Sequence, residues 1–214
     1  MEPRPWGGPL SWRKAVTFGL SFGTTLIAVT WVSSSLRLSD RARTWLLGVF
    51  AIDCIVEVSG ITVQAWRHVP SHFNTESPFD TVIAMSLALG GAVLIAVLGT
   101  LSSIAFRGRI DGPPSLRLAL RGGFALLLAG LGAGVAMIVR GETLINAGKR
   151  TEAYDSAGFL KGFHAVTLHA VLVLPALAWL LTHTSLSETA RTRVVAAGLG
   201  CYVVAAGVVL AVSV

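Results

Sequence analysis

The chain has 214 residues, 53% of them hydrophobic and only 13% charged, about half the charge of an ordinary soluble domain. Its mean hydropathy of +0.71 excludes a soluble globular protein and predicts an all-α integral membrane bundle. The net charge of +6 is spread over short connections and helix ends rather than gathered on one face, so it reads as anchoring to lipid headgroups, with no nucleic-acid partner.

Six windows are long and apolar enough to cross a hydrocarbon core, which takes about 17 to 25 helical residues. They lie near Ala15 to Ser35, Thr44 to Trp66, Asp80 to Phe106, Leu118 to Val139, Phe163 to Thr182 and Val194 to Val212. Little chain is left over, so residues 1–214 are expected to form one multi-pass bundle in the cell membrane, with both termini on one side. The first window follows Arg13 and Lys14 as a signal peptide would, but it is long and leads into further spans, so it reads as a retained helix. Positive charge is nearly balanced across the two sides; the short basic connections around Arg41, Arg109 and Arg191 are the reason to place that side in the cytoplasm. Cys54 and Cys201 both fall inside spans and serve as small apolar residues.

The second span carries Asp53, Glu57, Gly60, Gln64 and Arg67 at steps of four, three, four and three, which aligns them in one stripe of a helix. Val49, Ile52, Val56 and Val63 form the opposite, apolar face. A carboxylate at the bilayer centre costs about 2.5 to 3.5 kcal/mol on insertion scales, so the stripe is expected to face the bundle interior. Gly60 allows a helix or ligand to approach closely. In the following "RHVPSHFNTESPFD", Pro70 ends the helix, and Ser77, Pro78 and Asp80 fit the N-cap, N1 and N3 positions of the third span. The loop sets His68, His72, Phe73 and Asn74 near the end of the stripe. Asn74, Ser77 and Asp80 also read as plain turn and cap chemistry.

The third and fourth spans are rich in Gly, Ala and Leu and read as scaffold helices; Gly130 and Gly134 have the spacing of a dimerisation motif, which allows a homo-oligomer. The fifth span brings His164 and His169, five residues apart and so about 140° around a helix, which is not a simple metal-binding pair. Pro175 should kink this helix and make room in the bundle. Tyr202 is the polar handle of the sixth span. No HExxH, paired CxxC, Walker or GxGxxG motif is present.

The remaining chemistry lies in the intramembrane polar groups. In a low-dielectric bundle the charged form of Glu57 is disfavoured, which keeps it protonated, as a general acid requires. Protonating the alkene of a membrane-dissolved prenyl chain would start a carbocation cyclisation; aromatic faces such as Trp31, Trp66, Phe73 and Phe79 stabilise the cation, and Asp53 or a histidine takes the final proton. This chemistry needs no metal and no other cofactor. The expected site is a cavity lined by the second and fifth spans, holding Glu57, Gln64 and at least one of His164 and His169. Three other readings compete: a buried ion network that only fixes packing, a haem or quinone protein using His72, His164 or His169, and a proton-coupled transporter.

The stretches "EVSGITVQAWRHVPSHFNTESPFD" and "FHAVTLHAVLVLPALAW" resemble a group of small, mostly actinobacterial polytopic membrane proteins that share an acid before ITxQAxR, then SHFN and PF. The group includes membrane-bound terpene cyclases of indole sesquiterpenoid (drimentine-type) pathways. The resemblance implies an apolar prenylated small-molecule substrate, metal independence, and site roles for Glu57, Gln64, Arg67, His72, Asn74 and His164 or His169. His68 stands where the group carries a glycine after the arginine.

Overall fold

The computed structural model describes residues 11–213; the remaining residues of the expected 1–214 bundle lie outside it. Seven helices follow one another: α1 (Trp12–Ser33), α2 (Asp40–Trp66), α3 (Pro78–Phe106), α4 (Pro114–Asn146), α5 (Arg150–Ser156), α6 (Lys161–Thr182) and α7 (Glu188–Ala211). All but the short α5 are long and apolar enough to cross a membrane. The expected spans are therefore all present, and the structure adds helical turns where polar residues continue them beyond the hydrocarbon. The largest gain is at the end of α4, which runs on to Asn146.

Local sequence sets the helix starts. Ser39 caps α2 by accepting from the Ala42 amide, and Ser187 caps α7 by accepting from Ala190. Ser77 accepts from the Asp80 amide at 3.1 Å with Pro78 at the first position of α3, as the sequence predicts. The start of α4 has no side-chain cap of its own; the Ser115 amide donates 2.7 Å to Glu188 on α7 instead.

The helices alternate in direction, so α1 and α6 start, and α2 and α4 end, at one face of the bundle, here called the loop face. The connections at residues 34–39, 107–113 and 183–187 form the opposite turn face. There Arg37 and Asp111 pair at 2.7 Å and the first two of these connections hydrogen-bond through their backbones. The largest apolar core lies toward the turn face, where Val32, Phe50, Leu101 and Phe124 meet. Ile52 and Ile55 on α2 point outward.

The closest helix pair is α4 with α6. It depends on missing side chains: a Cβ on Gly123 would lie 3.0 Å from the Ala170 carbonyl oxygen, and one on Gly130 would lie 2.6 Å from Thr167 Oγ1. A Cβ on Gly134 would come within 3.1 Å of the His164 ring. The Gly130/Gly134 pair therefore packs within the chain against α6, not against a second copy as its spacing allowed. Pro175 sits inside α6, which remains helical through it. Tyr202 ties α7 to this pair by donating 2.6 Å to the Val166 carbonyl.

Because the contact at Gly123 is with backbone, Gly123→Ala is expected to destabilise the bundle by about 1 to 3 kcal/mol, the usual cost of overpacking. Gly132→Ala, where nothing lies within 4 Å of the added carbon, is expected to change stability by less than about 0.5 kcal/mol. Comparison of the two variants by unfolding in mixed micelles checks the difference.

Candidate functional site

The polar stripe of α2 faces inward. Asp53 and Glu57 are 6% and 4% exposed and Gln64 is fully buried. The helix that receives them is α3. Gly60 packs on Leu87 and Ile83, so the close approach it permits is that of a neighbouring helix. One turn beyond Leu87, Gly90 lies directly under the acids: a Cβ there would be 2.6 Å from Glu57 Oε1 and 2.7 Å from Asp53 Oδ1. Both carboxylates thus converge on a single point where α3 has no side chain, and their oxygens are no farther apart than the sum of those distances. Among the described residues neither acid has a hydrogen-bond or ion-pair partner, and Asp53 Oδ2 is buried without one. Lys14 on α1 acts on Glu57 electrostatically without forming a contact pair.

The next turns of the stripe do something different. Gln64 Nε2 donates 2.8 Å to Asp80 Oδ1, and Arg67 donates to both Gln64 Oε1, at 2.6 Å, and Asp80. Ser77 Oγ donates to the other Asp80 oxygen. The Arg67 guanidinium lies 4.7 Å from the centre of the Phe79 ring. This closed network clamps the end of α2 to the start of α3, and it employs Gln64, Arg67 and Phe79 in helix pairing. Trp66 is exposed, with its ring 6.2 Å from that of Trp12.

The loop between α2 and α3 is held in an unusual backbone conformation. His68 and Phe73 have φ of 58° and 61°, a region that bulky L-residues rarely occupy. His68 thus adopts a conformation that glycine adopts freely. Phe73 is held because its ring fills the space over Gly141 of α4, where a Cβ would be 2.5 Å from it. Between these residues, Lys14 Nζ donates 2.6 Å to Ser71 Oγ and lies 3.2 Å from His72 Nδ1. Ser71 Oγ lies 2.9 Å from the same nitrogen. Asn74 is fully buried; its Oδ1 accepts from the Glu76 amide at 3.1 Å and its Nδ2 has no partner.

The remaining candidates lie elsewhere. His164 Nδ1 donates 2.7 Å to the Gly130 carbonyl, turning the ring toward α4, and His169 Nδ1 donates 2.7 Å to the Ala165 carbonyl of its own helix. The expected cavity between the second and fifth spans is thereby corrected: α2 packs on α1 and α3, whereas α6 packs on α4, α7 and α1. Trp31 lies at the turn-face end of α1, where with Leu120, Pro175, Ala178 and Trp179 it lines a cavity of about 160 Å³. Room beside Pro175 exists as expected, but the carboxylates do not line it. Sequence reasoning missed Lys14, taken as an anchor, and the central place of Asp80, taken as a cap. Lys14 stands directly before the apolar window, the ordinary place of an anchor, and no other sequence signal marked it. Searches against protein-family models, curated proteins and solved structures return no match for the chain.

Burial, then the charges of Lys14 and Lys161, hold the pKa of His72 well below the usual value of about 6.5. The folded protein therefore keeps His72 neutral while the unfolded chain protonates it. This costs no stability above about pH 6.5, and stability falls as pH drops below that value, because the unfolded state binds the proton first. His72→Gln is expected to flatten this acid limb relative to the unsubstituted protein in denaturation measured from pH 7.5 to 5.

Proposed function

We propose that this protein is a metal-independent terpene cyclase embedded in the cell membrane, in which the Asp53 and Glu57 pair protonates an apolar prenylated substrate. The observation that carries the reading is the convergence of two buried, unpartnered carboxylates on Gly90. Burying a carboxylate as an anion without a partner costs far more than burying it as the neutral acid. Two of them side by side, away from any ion pair, suit the storage and delivery of a proton rather than helix packing, for which this bundle uses small residues.

In the proposed reaction the Glu57 carboxyl gives its proton to the less substituted carbon of the terminal prenyl alkene. The alkene electrons form that C–H bond and leave a tertiary cation, which the next double bond attacks to close a ring. Loss of a proton from a neighbouring carbon to a carboxylate of the pair ends the sequence and restores the acid. The product is an isomer of the substrate, so no redox partner is consumed. Asp53 serves as the second member that returns or receives the proton.

The redox reading has one supporting observation: His164 and His169 each donate from Nδ1 to a carbonyl, which leaves Nε2 as a lone-pair donor of the kind that ligates metal centres. Its test is a Soret band in the purified protein.

Glu57→Gln preserves size and removes the acidic proton. Membranes containing this variant are expected to hold normal amounts of protein and to lose cyclised product by about 10²- to 10⁴-fold, the typical contribution of general acid catalysis. Asp53→Asn is expected to lose less. The assay is the appearance of isomers of unchanged mass from prenylated indoles or simple polyprenyl compounds, and near-normal turnover by Glu57→Gln would overturn the proton-donor role.

A further inference from the structure

At the turn face, where α1 meets the α4–α6 pair, the bundle is not closed. The cavity of about 160 Å³ beside Trp31 lies there. Its inner wall is hydrocarbon, since Val32, Leu120, Pro175 and Ala178 are all buried. Its outer edge is formed by Trp31 and Trp179, both half-exposed and both within three residues of the end of their helix, the depth at which tryptophan marks the headgroup boundary. Ile27, one turn before Trp31, and Leu180, beside Trp179, are largely exposed, so the cavity opens sideways onto the lipid-facing surface. Ser35 and Pro113 carry the lining into the first two turn-face connections, and the space therefore reaches the membrane surface.

The same face holds positive charge that the chain does not neutralise. Asp40 pairs with Arg43 and Asp111 with Arg37, while Glu188 accepts from the Ser115 amide and lies 4.0 Å from Arg191. Those three acids are the described carboxylates of this face. Arg41, Arg107, Arg109, Arg117, Arg121 and Arg193 are exposed and have no ion pair among the described residues. Two guanidinium-bearing residues border the cavity itself. Arg117 follows Leu116, which lines it from α4, and Arg191 donates 3.4 Å to the carbonyl of Thr182, which lines it from α6.

We infer that the turn face binds one acidic phospholipid of the surrounding leaflet, with a segment of acyl chain between Trp31 and Trp179 and its phosphate on Arg117 and Arg191. A cavity of about 150 Å³ takes one benzene ring, so this one takes a short stretch of a chain and leaves the rest in the bilayer. The lateral opening selects a ligand dissolved in the membrane, and the unpaired arginines select a negative head. A neutral prenyl chain meets only the first condition, and a water-soluble anion only the second. Guanidinium groups give phosphate oxygens charge-assisted hydrogen bonds, and basic pockets between membrane helices recognise anionic headgroups in this way. The site is independent of the cyclase reading, because the acid pair lies between α2 and α3 and lines no part of the cavity. A lipid in this position braces α1 against α4 and α6 where the protein leaves a gap.

The test is native mass spectrometry of the purified protein in neutral detergent supplied with equal amounts of phosphatidylglycerol and phosphatidylcholine. One phosphatidylglycerol is expected to stay on each chain, favoured about fivefold or more, as one basic group near an anionic headgroup provides. Arg117→Gln is expected to remove most of that preference and to leave retention of phosphatidylcholine unchanged. Thr182→Phe, which fills the mouth of the cavity, is expected to lower retention of both lipids several-fold. Both side chains are exposed, so neither change endangers folding, and an unchanged thermal melt by circular dichroism checks this. Equal retention of the two lipids, or no effect of either variant, would overturn the inference. So would Arg41→Gln, on α2 at the same face, removing the preference as fully as Arg117→Gln, since the attraction would then be diffuse. Displacement of the retained phosphatidylglycerol by farnesol would also overturn it, by assigning the cavity to a neutral prenyl chain.

Discussion

A helix that carries two acids through a hydrocarbon layer must turn them toward a neighbour, and the neighbour must leave room. In this bundle the room is made by the missing side chain of Gly90. With any larger residue there, α3 would have to move away from α2 or the acids would have to turn outward into lipid. The α2–α3 pair is then closed at its loop-face end by Asp80, which accepts from Gln64, Arg67 and Ser77. The α2–α3 interface therefore holds two kinds of carboxylate within a few turns. Asp80 is surrounded by donors, while Asp53 and Glu57 have none.

That contrast divides the molecule along the membrane normal. Toward the turn face, α1 to α4 and α6 bury a continuous apolar core. Toward the loop face the same helices bury Glu57, Gln64, Asn74 and Asp80. Apolar packing and buried polar groups are thus placed at different depths, and the apolar half holds the helices together while the polar half keeps groups whose burial has a cost. The α4–α6 pair, joined through glycines, provides a rigid wall on the other side of α1.

The six spans were legible because each is a long apolar run, and the acidic stripe was legible because a helix repeats every three to four residues. The start of α3 was legible for a similar reason, since Ser77, Pro78 and Asp80 occupy positions that a helix N-terminus requires. What periodicity does not carry is the identity of the neighbour. The face of α2 was correctly read as inward, yet nothing in its spacing distinguishes α3 from α6, and the histidines of α6 were assigned to a cavity they do not share. The glycines of α4 show the same limit: their spacing announces close contact, and only the folded chain decides between a second copy and His164 of the same chain. Trp31 was grouped with residues that stand at the far end of the bundle, because aromatic character says nothing of depth. Lys14 was passed over because a lysine near the start of a span is ordinarily a headgroup anchor. Its contacts with Ser71 and His72 arise from a loop that follows it by more than fifty residues.

The left-handed backbone at Phe73 bears on how the chain is made. Its ring is seated over Gly141, in a helix that the ribosome finishes long after the α2–α3 hairpin has emerged. Until α4 is inserted, the loop lacks the contact that offsets its unfavourable dihedral, and an extended or ordinary turn is the lower-energy choice. The first three helices can therefore enter the membrane as a preassembled unit with an unfinished cap. Arrival of α4 then sets the loop and, through Ser71 and His72, fixes the position of Lys14. The fourth helix is in this way part of what holds the α2–α3 loop and Lys14 in place.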